Sequence, residues 1–327
     1  MDSGFHMQKS RAAKSPPKVR RRSAVQLDLP VILDSPLMKA VHSDRYLLEY
    51  PFFDLSKTAK RKRLAFFDGP VTIEVKAIEG LGVATIFDRD MIMYAASLMV
   101  QKIEAGENPG REFVFSGRDF CLVSGRDTGG DSYDLLSKTV ERLKGTVIKT
   151  NIETGGRGVD GYFSWLDGGS GIAYDIDQIT RKKRLSYIRV VLCEWLYRAI
   201  LRDRSILAVH EDYFTLKPIG RRLYDLAKVH CGDHQEWRTT LGQLHKLVGS
   251  DMDVRNFKVE IGKQAGEVPD YRFEITDEFD GETRGRGRRQ SARLIVVVRP
   301  KGSADDAIGP PPVLVDLIDL MNEEVPT

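Results

Sequence analysis

The chain has 327 residues, 41% of them apolar and 30% charged, a composition that excludes a wholly disordered chain and a collagen-like fibre. Its longest uncharged apolar run, residues 91–100, is half of the about 20 residues a membrane-spanning helix needs. The net charge of +3 hides an uneven distribution. Residues 1–30 carry seven Lys/Arg against Asp2 and Asp28, residues 281–301 carry seven against Glu282 alone, and residues 302–327 carry six acids and no base. Basic stretches on a near-neutral body point to a polyanionic partner. The first thirty residues lack the apolar core of a secretory signal. The separated cysteines Cys121, Cys193 and Cys231 form no CxxC pair, so neither a disulfide framework nor a zinc finger is expected, and a reduced, cytoplasmic protein is the simplest reading.

Taken in order, residues 1–45 read as a flexible basic arm around KSPPKVRRRS, where prolines interrupt any periodicity. Residues 64–67 and 71–75 read as strands about the turn Asp68-Gly69-Pro70, and residues 83–87 as a third strand. A helix follows over 88–103 with Ile92, Ala95, Met99 and Ile103 on one face, and with Met91, Met93 and Met99 as core filler.

Two later stretches share a pattern. In the first, a short segment at 117–124 and a glycine-bearing turn lead into a helix over 131–144, with Tyr133, Leu136, Val140 and Leu143 inward and Gly145 as its stop. Strands at 146–152 and 162–166 then enclose the glycine-rich loop 155–161. In the second, a helix over 239–248 (Leu241, Leu244 and Val248 inward) is followed by the turn Gly249-Ser250-Asp251. A helix over 252–264 comes next, with Val254, Phe257 and Ile261 inward, and then strands at 271–275 and 293–298. Helix, turn, helix, strand, loop, strand is the order of a winged helix-turn-helix. Its repetition predicts an α+β fold with two tandem winged helix-turn-helix domains. The first spans 46–203 and the second, which reads DNA, 204–301; residues 302–327 form an acidic tail.

On the helix over 252–264, Arg255, Asn256, Val259 and Lys263 lie opposite the apolar stripe, with Lys258 on a flank. Arg and Asn pair bidentately with guanine and adenine edges, and an exposed Val meets a thymine methyl. The loop that follows holds Arg284, Arg286, Arg288 and Arg289 among glycines, a positive wing suited to phosphates or a narrow minor groove. The helix over 131–144 shows Asp134, Lys138, Glu141 and Arg142 outward. Its acids repel phosphate, so Lys138 and Arg142 are assigned to backbone contacts at most, with a protein contact as the alternative. The runs Lys60-Arg61-Lys62-Arg63 and Arg181-Lys182-Lys183-Arg184 either add phosphate contacts or are simply solvated.

No catalytic residue, metal ligand or cofactor site is assigned. The chain has no GxxxxGK[S/T] phosphate cradle, and Gly80-Leu81-Gly82 precedes a strand rather than opening a helix. His230, Cys231, Asp233, His234 and Glu236 crowd ligand-type side chains together, but His230 continues the apolar stripe of Ile219, Leu223 and Leu226, and Gly232 breaks the helix there. A tyrosine recombinase is the sharpest enzymatic rival, yet no local spacing brings arginines to a phosphate beside a tyrosine nucleophile. No enzymatic activity is expected.

Several segments carry a family resemblance: YPFFDLSK (50–57), ATIFDRDMIMYAASLMV (84–100), GGDSYDLLSKTVERLKGTVIKTNI (129–152), SWLD (164–167), YFTLKPIGRRLYDLAKVHCG (213–232) and LGQLHKLVGS (241–250). Together they resemble the plasmid replication initiator protein A family. The resemblance implies tandem winged-helix domains that bind repeated sites in double-stranded origin DNA, melt adjacent AT-rich DNA and recruit host helicase or initiator proteins. It also implies self-association as a dimer when unbound. Lys217-Pro218-Ile219 stands where the family pattern has a glycine pair. The arm, the arginine-rich wing and the acidic tail, with its stripe of Val313, Leu314, Leu317 and Leu320, fall outside the matching segments. A winged-helix transcriptional repressor is the alternative that the sequence leaves open.

Overall fold

A computed structural model describes residues 33–34, 36–37, 40–128, 132–181, 183–232, 234–278 and 293–302. Most of the basic arm, the loop with Arg284, Arg286, Arg288 and Arg289, and the acidic tail lie outside these residues. The stretch read as arm is already ordered at its end: β1 (Val41–Asp44) leads straight into α1 (Arg45–Glu49). The hairpin of β2 (Arg63–Asp68) and β3 (Val71–Ala77) closes on Gly69-Pro70, with Asp68 opposite Val71. Gly69 adopts φ +53°, which a glycine tolerates without strain.

Residues 83–87 do not form the expected strand. Thr85 makes a lone bridge to Asp54; the Val83 and Ile86 amides donate to the Arg61 and Asp54 carbonyls, and the two amides between them find side-chain partners. The Ala84 amide donates to Thr146 Oγ1 at 2.8 Å and the Thr85 amide to Asp88 Oδ2 at 2.8 Å. α2 (Arg89–Glu104) follows, but a single apolar face describes it poorly: every residue from Arg89 to Val100 is buried. A helix enclosed on all sides is the central post of a core, not a surface helix.

The remaining elements complete a repeated order. After α2 come β4 (Glu112–Phe115), α3 (Gly117–Val123), α4 (Ser132–Gly145), β5 (Thr146–Thr150), β6 (Phe163–Ser164), β7 (Gly171–Ile176) and β8 (Lys183–Val191). Then α5 (Glu194–Leu201), β9 (Ile206–Val209) and a 3-10 turn at Glu211–Thr215 lead to α6 (Pro218–His230). Last are β10 (Trp237–Thr240), α7 (Leu241–Val248), α8 (Val254–Gln264), β11 (Tyr271–Glu278) and β12 (Arg293–Pro300). Long helix, strand, two helices and a hairpin thus occur twice, with sheet orders β4-β8-β7 and β10-β12-β11. β1 pairs with β9 in a separate two-stranded sheet.

This corrects the sequence reading in four places. The strands read at 146–152 and 162–166 are β5 and β6, which join β3 in a β2-β3-β5-β6 sheet; the hairpin of the first repeat is β7–β8, which was read only as a charged run. The segment at 117–124 is the helix α3. The next helix of the pattern starts at Leu241, because Thr239 and Thr240 complete β10 and the Thr240 hydroxyl caps α7 by accepting from the Gln243 amide at 3.1 Å. Finally, α8 starts at Val254, whose side chain is 41% exposed rather than inward, because Asp253 caps the helix by accepting from the Arg255 amide at 2.8 Å.

One buried core runs from Leu47 to Val298 through both repeats, and a charged cluster sits between α2 and α6. Arg89 donates to Asp225 at 2.9 Å, to the Tyr213 hydroxyl and to the Leu47 carbonyl at 2.8 Å. Asp90 accepts from Arg221 at 2.7 Å and from Arg126 at 3.0 Å. Arg222 reaches Asp225 at 3.1 Å, the Leu48 carbonyl at 2.6 Å and the Leu247 carbonyl at 2.9 Å. Those carbonyls end α1 and α7, where the last turn of a helix has no partners of its own. Burial pulls the Arg222 pKa down to about 10, which leaves it charged at neutral pH.

Asp225→Ala strands two buried guanidinium groups, so it should lower unfolding stability by ~3–5 kcal/mol in urea titration. A loss below about 1 kcal/mol would contradict the pairing described. Asp44, buried ahead of α1, caps it through Tyr46 and Leu47 amides at 2.9 and 3.3 Å, while its Oδ2 is buried without a hydrogen-bond partner. Burial raises its pKa to about 8 against the opposing pull of those amides. Its contribution to stability is therefore full below the ordinary carboxyl range and is lost as pH rises through about 8. Asn keeps both cap bonds without a charge, so the Tm of Asp44→Asn should fall less than the parent's from about pH 5 to about pH 9. Parallel curves would rule this out.

Candidate nucleic-acid interface

α8 is held along one side only. Phe257 and Ile261 enter the core, and Gln264 accepts from the Gly220 amide at 3.0 Å while donating to Glu260 at 2.9 Å. Gly220 lies in the first turn of α6, whose N–H groups have no partner within the helix, so this bond fixes α8 against α6. The opposite side holds Arg255, Asn256, Lys258, Val259 and Lys263, all exposed, with Val259 at 55%. These side chains are thus exposed together on one side of the helix. Lys263 is partly neutralised there by Glu260 at 2.7 Å, a pair that holds the Glu260 carboxyl below its usual range.

The turn before α8 is fixed by several contacts. Gly249 ends α7 in the left-handed region at φ +76°, and an added Cβ would lie 2.5 Å from Pro51 Cβ, so only glycine fits. The His245 ring bonds the Met252 carbonyl at 2.8 Å and packs on Phe257. Arg61 meets Asp251 at 2.5 Å and lowers its pKa. The basic run at 60–63 is therefore docked beside this turn. Arg61 is consumed by the pair, while Lys60, Lys62 and Arg63 stay exposed, Arg63 at 3.4 Å from Glu74. A second link, from Asp68 to Lys246 at 2.8 Å and Gln243 at 3.0 Å, ties the β2–β3 hairpin to α7. Between these links lies an open cleft of about 650 Å³ lined by Arg61, Lys62, Arg63 and Lys246. Sequence reasoning gave no sign that residues 60–63 and 249–251 meet, because they are far apart in the chain.

The loop of residues 279–292, and with it Arg284, Arg286, Arg288 and Arg289, lies outside the described residues. Glu278 and Arg293, which border it, are paired across β11 and β12. In the first repeat, Lys138 is exposed on α4 beside the exposed acids Asp134 and Glu141. Arg142 is engaged inward: it grips Asp88 through two bonds of 2.7 and 2.6 Å, with Thr139 adding a third at 2.8 Å. The sequence placed Arg142 on the outer face because it could not show that Asp88 waits beneath it.

His230 stacks on Trp237 with ring centroids 4.7 Å apart, and burial lowers its pKa. Among the described residues no three His, Cys, Asp or Glu side chains are grouped to hold a metal ion, and no helix is long and apolar enough to cross a membrane.

Residues 42–273 match the family model of replication initiator protein A. The chain belongs to the replication initiator protein A family. This initiator is 30% identical over 245 residues to a protein of Wigglesworthia glossinidia brevipalpis named as a replication protein, covering 73% of this chain and 86% of that one. Its fold is similar to domains 2 and 3 of RctB, with a TM-score of 0.55 at 11% identity, covering 81% of this chain and 99% of the other. A second crystal structure of RctB domains 2–3 gives 0.47 at 12% identity over 73% of this chain and 90% of that one.

Arg142→Ala leaves Asp88 buried without its main partner and should destabilise the initiator by ~2–4 kcal/mol, whereas Lys138→Ala should stay within about 0.5 kcal/mol of the parent. Urea unfolding of the two variants checks this; equal effects would contradict the inward role of Arg142.

Proposed function

We propose that this initiator binds repeated origin DNA sequence-specifically through the exposed side of α8. In this reading each repeat is a winged helix-turn-helix. The second reads bases through Arg255, Asn256, Val259 and Lys263, Lys258 flanks them, and the loop arginines hold the backbone. Two such modules on one side of the duplex cover about two helical turns, ~20 bp. Local melting follows from binding energy: bending or untwisting a site costs ~1–6 kcal/mol, which added contacts offset. The initiator then recruits host replication proteins, self-associates as a dimer off DNA, acts in the cytoplasm and makes or breaks no covalent bond itself.

The observation that carries this reading is the division of α8. Phe257, Ile261 and Gln264 fix its inner side, its outer side presents side chains suited to base edges, and Lys60, Lys62 and Arg63 flank its preceding turn. The exposed cations Lys60, Lys62 and Arg63 suit phosphate positioning, not base readout.

The test uses a duplex site selected from a random pool by the full chain. Arg255→Ala should weaken binding by ~1–3 kcal/mol and relax preference at one base position. Lys62→Ala should weaken all sequences alike and reduce the salt slope by ~0.9 for the lost phosphate contact. An Arg255→Ala protein that keeps the parent's site preference would overturn the assignment of α8.

A further inference from the structure

The hairpin β7–β8 carries an apolar side chain where the function above gives it no role. Ile179, at its tip, is 93% exposed, while the next most exposed large apolar side chain among the described residues, Leu122, reaches 62%. The tip is closed, not splayed. Asp177 Oδ1 accepts from the amides of Ile179 and Thr180 at 2.9 and 2.6 Å, and the Arg181 amide returns to the Asp177 carbonyl at 2.9 Å. Holding Ile179 in water in a fixed turn forgoes the burial of a whole side chain, about 1.5–3 kcal/mol, which a partner covering it would recover.

The surroundings specify what. Below the tip, Tyr174 and Ile176 are 42% and 45% exposed, and the Lys183 ammonium sits 4.5 Å over the Tyr174 ring. Arg181, Lys183 and Arg184 stand against Asp175 and Asp177. Asp177 is engaged by the tip amides, and Asp175 lies opposite Arg184 in the ladder. An apolar point with cations behind it is matched by the minor groove of AT-rich duplex DNA. That groove is narrow and strongly negative, and apolar side chains entering it wedge between base steps and kink the helix. Alternating TA steps unstack at least cost.

We propose that Ile179 is a wedge that enters the minor groove of AT-rich DNA and unstacks a base step, with Arg181, Lys183 and Arg184 on the flanking phosphates. This rests on the reading of the protein as a duplex DNA binder and assigns the first repeat a deforming role beside the reading role of the second. The wedge makes unstacking a property of one side chain.

The test uses the full chain and an alternating AT duplex with 2-aminopurine at its central adenines, at low salt. Binding of the parent should raise the 2-aminopurine fluorescence severalfold. With the duplex saturated by each protein, Ile179→Ser should lose the rise and Ile179→Phe should keep it. A rise with Ile179→Ser equal to the parent's overturns the wedge, as does parent binding without any rise; both leave DNA binding intact and point to a protein partner for the tip. A parent that fails to bind the duplex at all contradicts the DNA-binding reading itself, and the wedge with it.

Discussion

Enclosing the guanidinium groups of Arg89, Arg221 and Arg222 between α2 and α6 is costly, because each leaves water. The structure offsets this with Asp90 and Asp225 and with carbonyl oxygens at the ends of α1 and α7. The partners come from five elements: α2 and α6 supply the charges, while α1, α7 and the 3-10 turn supply further acceptors. The cluster therefore specifies how the two repeats meet more than it adds net stability. A hydrophobic contact of the same area would tolerate sliding; five charges with assigned partners do not.

This rigidity bears on the proposed interface. α8 is bonded to α6 through Gln264 and Gly220, and α6 is bonded to α2 through the charged cluster. α4 is tied to the start of α2 through Arg142 and Asp88. Both helix pairs are thus fixed to the same two long helices, and the pairs from Arg61 to Asp251 and from Lys246 to Asp68 brace α7 and its turn against the β2–β3 hairpin. A protein that deforms DNA by binding must itself resist deformation, since otherwise the binding energy is dissipated in the protein.

Much of the fold was legible in the sequence, and what was not has physical causes. Periodicity found α2, α4, α7 and α8 because each has an apolar stripe, although for α2 it understated the burial: apolar spacing does not register Arg89 and Asp90 as core residues. The four-residue strands β4 and β10 give too little alternation to read. β7–β8 was hidden because its outer residues are charged or exposed. Caps moved helix starts by two residues, as at Thr240 and Asp253. At the interface, the exposure of Arg255, Asn256, Lys258, Val259 and Lys263 followed from helical spacing alone. Arg142 did not, because its partner is 54 positions away. The motif segments FDRD and GRRLYDL, whose density of charge suggests a functional surface, are mostly the buried interlock. Their charges are spent within the protein, on each other and on Arg126 and Arg142.

The most direct test of this coupling is urea unfolding followed by tryptophan fluorescence in two variants, one retaining only Trp237 in the second repeat and one retaining only Trp165 and Trp195 in the first. Because a single core and one charged cluster join the repeats, the two midpoints should coincide. Two separated transitions, with the Trp237 signal lost while the Trp165 and Trp195 signal persists, would show that the repeats stand alone and that the interlock does not hold them together.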